Sequence, residues 1–265
     1  MALWNNRPPT EVPPVILYEY PLNEGARMLL RLERLLARLN ELIDRPTPID
    51  HHHALMTLFE ILEVVGRSDV KGDLMRDLER QRQQLETLRG NPEVDAQALG
   101  ALIQRFEQAF AGLNQQPGKL GASLSAHDWL MSLRSRSVIP GGMFEFDTPS
   151  YHAWQHRELA QRQSDLWGWT EGLRPLQAAV ELLMSLVRES GRPVRAAATD
   201  GVFQHNLPQG RTFQMLRLRL DAAQGVVPEI TGHRLMVAIR FVRPDADGRM
   251  RTAAEDVFFE WALCA

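Results

Sequence analysis

A single cysteine, Cys264, excludes any disulfide within the chain and fits a reducing compartment. Lysine is nearly absent as well: Lys71 and Lys119 are the only ones among 30 basic residues, so the positive charge is almost all guanidinium. No stretch approaches the roughly 18–20 consecutive apolar residues of a membrane helix. The opening Met1-Ala2-Leu3-Trp4-Asn5-Asn6-Arg7-Pro8-Pro9 has no basic region followed by an apolar run, so no signal peptide is expected. The formal net charge of −3 gives no global attraction to nucleic acid or to anionic lipid. A cytoplasmic protein without cofactors and without membrane insertion is the expectation.

Catalytic signatures are missing too. The sequence has no Gly-x-Ser-x-Gly elbow, zincin helix, dinucleotide fingerprint or paired-cysteine zinc framework. Gly112 to Leu120 approaches a phosphate-binding loop, but five residues separate Gly112 from Gly118 where four are needed. Leu120 also stands where a Ser or Thr would hold magnesium. His51-His52-His53 cannot converge on one ion from consecutive helical positions about 100° apart, so surface or capping histidines are expected. Cys264 has no neighbouring base, and a quiet thiol near a chain end is expected.

What is present is a chain that changes period. Residues 1–15, with Pro8, Pro9, Pro13 and Pro14, read as a flexible leader. Asn23 to Asp44 follows as a helix whose apolar set is Met28, Leu29, Leu32, Leu35, Leu36, Leu39, Leu42 and Ile43. Arg27, Arg31, Arg34 and Arg38 form a second stripe on the same helix, about 120° from the apolar face. Like charges at such spacings repel, so the stripe is either a solvated flank or an anion-reading surface. Further helices are expected from an N-cap at Asp50 to Gly66, from Asp69 to Gly90, and from Asp95 through Phe110. Residues 112–121 read as a loop. A short helix is expected over His127–Arg136, a strand over Met143–Asp147, a helix from Pro149 through Leu159, and a longer helix over Pro175–Glu189.

After Pro193 alternation replaces helical spacing. Leu216, Leu218 and Leu220 alternate with Arg217 and Arg219. Leu235, Val237, Ile239 and Phe241 share one face, with Arg240 on the other, and Val257, Phe259 and Trp261 repeat the pattern. The predicted class is α+β, an N-terminal helical bundle domain over 16–190 followed by an antiparallel β domain over 191–265. Residues 134–148 read as able to extend and join the β part. From Arg188 to Arg251 there are 11 Arg against 6 Asp or Glu, which suits carboxylate recognition by guanidinium forks. The residues alone stop at a protein with Arg-rich surfaces that bind something acidic. A nucleic-acid-binding protein and an enzyme acting on an acidic metabolite stay open beside it.

Several segments carry a resemblance. Ile16 to Glu24 followed by Leu30-Arg31-Leu32-Glu33, Glu60 to Val64, Ile139 to Gly142 with Phe146 to Pro149, Gly232-His233-Arg234 leading to Ala238-Ile239-Arg240-Phe241, and Phe259 to Cys264 stand in the order seen in the ZapD family, which they resemble. The resemblance implies a non-enzymatic cell-division factor. It would be a homodimer that binds the C-terminal tail of FtsZ, bundles FtsZ filaments and is recruited from the cytoplasm to the division septum. It also implies FtsZ contacts at Arg31, Arg67, Arg240 and His152. Trp129 and Met236 stand where relatives can have Arg, and Arg134, Arg136 and Arg234 lie nearby to compensate. Arg27 and Arg34 complete the expected partner-binding set through the stripe they share with Arg31.

Overall fold

A computed structural model describes residues 14–67, 69–208, 210–233 and 235–265. The chain adopts the expected α+β class, and its contacts divide it into two compact units. One gathers the residues up to Arg27 with Leu186–Ala265, and the other is Met28–Ser185.

The first unit holds the strands β1 (Val15–Pro21), β2 (Val194–Ala198), β3 (Val202–Asn206), β4 (Met215–Asp221), β5 (Val227–His233), β6 (Met236–Pro244), β7 (Met250–Thr252) and β8 (Val257–Cys264). All pairings are antiparallel. One sheet runs β1-β4-β8-β2, the other β3-β6-β5, with β7 on β6. The alternating residues of the sequence, apart from Leu235, face inward together: Leu216, Leu218, Leu220, Val237, Ile239, Phe241, Val257, Phe259 and Trp261 form one buried cluster drawn from both sheets, whereas Leu235 lies before β6 and is exposed. The step from β2 to β3 is an Asp200-Gly201 turn with both residues at positive φ, 47° and 70°. A Cβ at Gly201 would lie 2.6 Å from the Ala253 carbonyl, so only glycine fits.

β1 corrects the sequence reading, which counts 16–190 as mainly helical and 1–15 as leader. Residues 1–13 lie outside the described residues, but Val15 already pairs with Asp221 and Pro21 with Met215. Glu19 makes the segment look solvated, yet its side chain is only 3% exposed. It accepts Arg188 Nε at 2.7 Å and Nη2 at 2.9 Å, and Arg217 Nε lies 3.2 Å away. Two guanidinium groups compensate the buried carboxylate, as a desolvated charge requires. Cys264 is a buried residue of β8 paired with Met215, and burial pushes its thiol pKa up, as expected of a quiet thiol.

The second unit is helical. Its elements are α1 (Glu24–Asp44, which begins in the first unit), α2 (Pro48–Gly66), α3 (Val70–Glu86), α4 (Ala96–Gln115), the single turn α5 (Ala122–Ser125), α6 (Asp128–Ser137), α7 (Pro149–Gln155), α8 (Leu159–Thr170) and α9 (Arg174–Glu189, which ends in the first unit). Leu32, Leu39 and Ile43 of α1 are completely buried, as are Leu55, Leu58 and Ile61 of α2. Asp69 and Asp95 cap α3 and α4 through their side chains. Four local expectations change. The cap of α2 is Thr47, not Asp50: Thr47 Oγ1 accepts the Asp50 amide at 3.1 Å and donates back to its carboxylate at 2.5 Å, with Pro48 opening the helix. α4 runs to Gln115, into the expected loop. The helix from Pro149 stops at Gln155 and restarts at Leu159. The expected strand over Met143–Asp147, and with it any extension of 134–148 into the β part, is a chain of tight turns. These are closed by Gly142 N to Ile139 O and Asp147 N to Phe144 O, with Gly141 at φ 73°.

The histidine triplet is a surface feature only in part: His53 is exposed, His52 half-buried and His51 buried. His51 is fully buried, with Nε2 3.2 Å from Ile43 O and Nδ1 accepting Arg162 Nε at 3.0 Å. Arg162, 5% exposed, donates further to Pro46 O at 2.9 Å and to the carbonyls of Gln155 and Arg157. His51 must stay neutral to accept that bond. Burial first, and the Arg162 charge after it, hold its pKa below the usual histidine value. His52 Nδ1 meets the Tyr151 hydroxyl at 2.7 Å, and burial lowers the imidazole pKa and raises that of the phenol, so both groups stay neutral in this hydrogen bond. The unfolded chain therefore takes up protons near pH 6.5 that the native chain refuses. Urea unfolding should show stability complete above that pH and falling as pH drops below it. Arg162→Ala, which leaves several carbonyls without a donor, should cost about 3 kcal/mol at neutral pH.

Candidate partner-binding surface

The Arg stripe of α1 separates into residues with and without partners. Arg27 Nε sits 3.2 Å from Glu24, and Arg38 reaches across to Glu60 of α2 at 2.7 Å. Arg34 is exposed and engaged within the molecule. Arg31 is exposed and, among the described residues, has neither hydrogen bond nor ion pair. An exposed guanidinium that holds no internal carboxylate presents its donors to a ligand without first breaking a bond.

Arg67 follows the last turn of α2 and pairs with Glu63 one turn back. It does not stand alone. Arg67, Lys119 and Arg134 line one groove of about 740 Å³ whose walls are the end of α2, residues 119–126 and α6. The groove contains one carboxylate, Glu63. Its floor is apolar, with Leu62 and Leu120 buried and Ala122 and Ala126 small. Gly121, at φ 75°, brings the backbone against Leu62, where a Cβ would lie 2.5 Å from Cδ2. Lys119 has no described side-chain partner, and neither has the Arg134 guanidinium. The structure thus brings Arg67 and Arg134 together and adds Lys119, which the sequence reading passed over.

His152 is exposed on α7, with its ring 4.4 Å from that of His156. It lines a different hollow of about 520 Å³, walled by Ile49, His52, Met56, Ile139 and Phe144. Arg136 is exposed at the end of α6. Trp129 is part of an aromatic cluster, 5.3 Å from Trp169 and 6.0 Å from Trp154, and its Nε1 donates to Ser150 at 3.1 Å. It serves packing within this cluster.

Arg240 belongs to the β unit. It points outward from β6 as the alternation requires, and its Nε donates to Glu229 of β5 at 3.0 Å. Met236, partly buried, pairs with Asn206 and His233. Arg234 lies outside the described residues. Among the described residues no group of three or more His, Cys, Asp or Glu is placed to hold a metal ion. None of the described helices is long and apolar enough to cross a membrane.

This arrangement defines an α+β protein with exposed guanidinium groups on helices and on a sheet: Arg38, Arg67 and Arg240 are held by neighbouring acids, while Arg31 is open among the described residues. The family model for ZapD, described as cell division protein, matches residues 30–240. Cell division protein ZapD of Cupriavidus pinatubonensis (strain JMP 134 / LMG 1197) is 45% identical over 251 residues, covering 94% of this chain and 99% of its own. The ZapD protein of Aromatoleum aromaticum (strain DSM 19018 / LMG 30748 / EbN1) is 46% identical over 252 residues, with 95% and 98% covered. The chain belongs to the ZapD family of cell division proteins.

Open and engaged residues should respond differently to substitution. Arg31→Ala should leave the free energy of unfolding in urea within about 0.5 kcal/mol of the parent, because no internal contact is lost. Gly121→Ala should cost about 2 kcal/mol, from a positive φ that disfavours any Cβ and from the approach to Leu62.

Proposed function

We propose that this chain binds the acidic C-terminal tail of FtsZ and, as a homodimer, crosslinks FtsZ filaments into bundles at the division septum. It works in the cytoplasm and catalyses no reaction. The observation that carries the reading is that Arg31, Lys119 and Arg134 have no internal partner among the described residues, on the surface of a family member whose relatives are named for cell division. Such groups are desolvated only when an external carboxylate arrives, and each charge-assisted contact then contributes about 1.5–3 kcal/mol. A flexible tail orders when it binds, so each contact site is weak by itself. Two sites on one dimer make the second capture intramolecular, and weak contacts then suffice to hold filaments side by side.

The contacts proposed at Arg31, Arg67, His152 and Arg240 are not equivalent. Arg67 and Arg240 must exchange Glu63 and Glu229 for a ligand carboxylate, whereas Arg31 gives up nothing. Sedimentation of polymerised FtsZ with this protein tests the reading: co-pelleting is expected with intact FtsZ and lost when the tail is removed. Co-pelleting that survives tail removal contradicts it, as does a strictly monomeric protein in analytical ultracentrifugation. Arg31→Glu should reduce co-pelleting more than Arg240→Glu does.

A further inference from the structure

The two lysines of the chain meet at one loop. Lys71 of α3 donates through Nζ to Gln116 O at 2.6 Å and reaches Gly118 O at 3.4 Å, which pins residues 116–118. Lys119 follows directly, between Gly118 at φ 69° and the buried Leu120, so the fold fixes its place on the groove that also takes in the end of α2. That groove holds three cations, Arg67, Lys119 and Arg134, against the single carboxylate of Glu63. Arg134 is half-buried, and its guanidinium, like the Lys119 amine, has no partner among the described residues. Glu63 holds Arg67 only through an exposed pair one turn apart, a kind of contact that contributes little and yields readily. Like charges gathered with so little counter-charge repel one another, and an anion from outside relieves them.

We propose that the groove is a binding site for a small anion bearing a diphosphate group, held by Lys119 and Arg134, with Arg67 turning from Glu63 to join them. A lone carboxylate brings one charge and meets one guanidinium fork, which leaves the other cations of the groove unmatched. A diphosphate brings several charges and acceptor oxygens on two linked centres, and arginine forks and lysine point charges are both usual phosphate ligands. The Ser125 hydroxyl is exposed on the same wall and adds a neutral donor. The space of about 740 Å³ lies within the range of small-molecule sites, about 300–1,000 Å³. Leu62, Leu120, Ala122 and Ala126 carry no charge, so an organic group attached to the diphosphate has an apolar surface to lie on. The inference does not rest on the FtsZ reading, since the anion can bind whether or not the tail does. Where both hold, anion and tail compete for Lys119 and Arg134.

The test is isothermal titration calorimetry of the full-length protein with sodium pyrophosphate, inorganic phosphate and ATP, at constant ionic strength and without magnesium. Pyrophosphate should bind once per chain and about tenfold or more tightly than inorganic phosphate, which cannot span the three cations. Lys119→Gln and Arg134→Gln should each weaken it about tenfold while circular dichroism melts are retained. Arg105→Gln, which removes an exposed α4 cation without a described partner, should change nothing. Glu63→Gln should tighten binding several-fold by freeing Arg67, a gain that damage to the fold does not mimic. ATP separates the sources of the diphosphate. Affinity no greater than that of pyrophosphate shows that the free diphosphate suffices, and greater affinity shows an organic part lying on the apolar floor; both support the site. The inference is overturned if pyrophosphate does not bind or binds no more tightly than phosphate. It is overturned as well if Arg105→Gln costs as much as the groove variants, the mark of diffuse charge attraction. Should Arg134→Gln fail to fold, the exposed Lys119→Gln and Glu63→Gln decide the matter, and unchanged affinity in both sinks the proposal.

Discussion

One carboxylate is withdrawn from water near the beginning of the described chain, and the architecture follows from how it is compensated. Glu19 lies between Arg188, which ends the last helix, and Arg217 on β4. A strand carrying a bare buried charge would be expelled; with two guanidinium groups in reach it is held. β1 is thereby fixed to a sheet built otherwise from residues beyond 193, and the helical unit becomes an insertion between the first strand and the rest.

The helical unit uses the same chemistry in another way. Arg162 is as buried as Glu19 but has no carboxylate among its described partners; it is neutralised by carbonyl dipoles and a neutral imidazole. Elsewhere guanidinium groups face water, paired along their own helix as Arg67 is, paired across to a neighbouring element as Arg38 and Arg240 are, or unpaired. Arginine thus does three jobs in this chain: balancing a buried acid, capping chain segments that would otherwise leave carbonyls unmatched, and presenting free donors at the surface. Near-exclusion of lysine suits the first two, because only a planar fork donates in several fixed directions at once. Lys119, on the groove rim, has none of those internal duties.

Much of this was legible in the sequence wherever the signal was periodic and local. The apolar faces of α1, α3 and α4, the Asp69 and Asp95 caps, and the alternation in β4, β6 from Val237 on, and β8 all appear where the residues place them. The failures share a cause. β1 was missed because its partner lies some 200 residues away and its Glu19 looks solvated. β2 and β3 were missed although Asp200-Gly201 is a strong turn signal, because the strands on either side are short and mostly half-exposed. β5 alternates only between half-buried and exposed, so it lacks an apolar stripe. The histidine triplet was judged by ligand geometry, whereas burial beside Arg162 decides its role. For the surface, the Arg stripe could be read from the helix wheel. Which of its members are free, and that Lys119 joins Arg67 and Arg134, depend on tertiary neighbours that no local pattern encodes.

The position of β8 in the sheet order carries a consequence for how the molecule is made. Residues 257–264 occupy an interior place, between β4 and β2, so neither neighbour has its full complement of ladder hydrogen bonds until that segment has left the ribosome. β1, synthesised before any helix, stays without its partner while the whole insertion emerges and folds. The helical unit, rich in near-neighbour contacts, can organise early, whereas the β unit closes only after the ribosome has delivered both flanks of its gap. Until β8 is delivered, the strand edges of β4 and β2 that it covers stay unpaired, and such edges are open to aggregation.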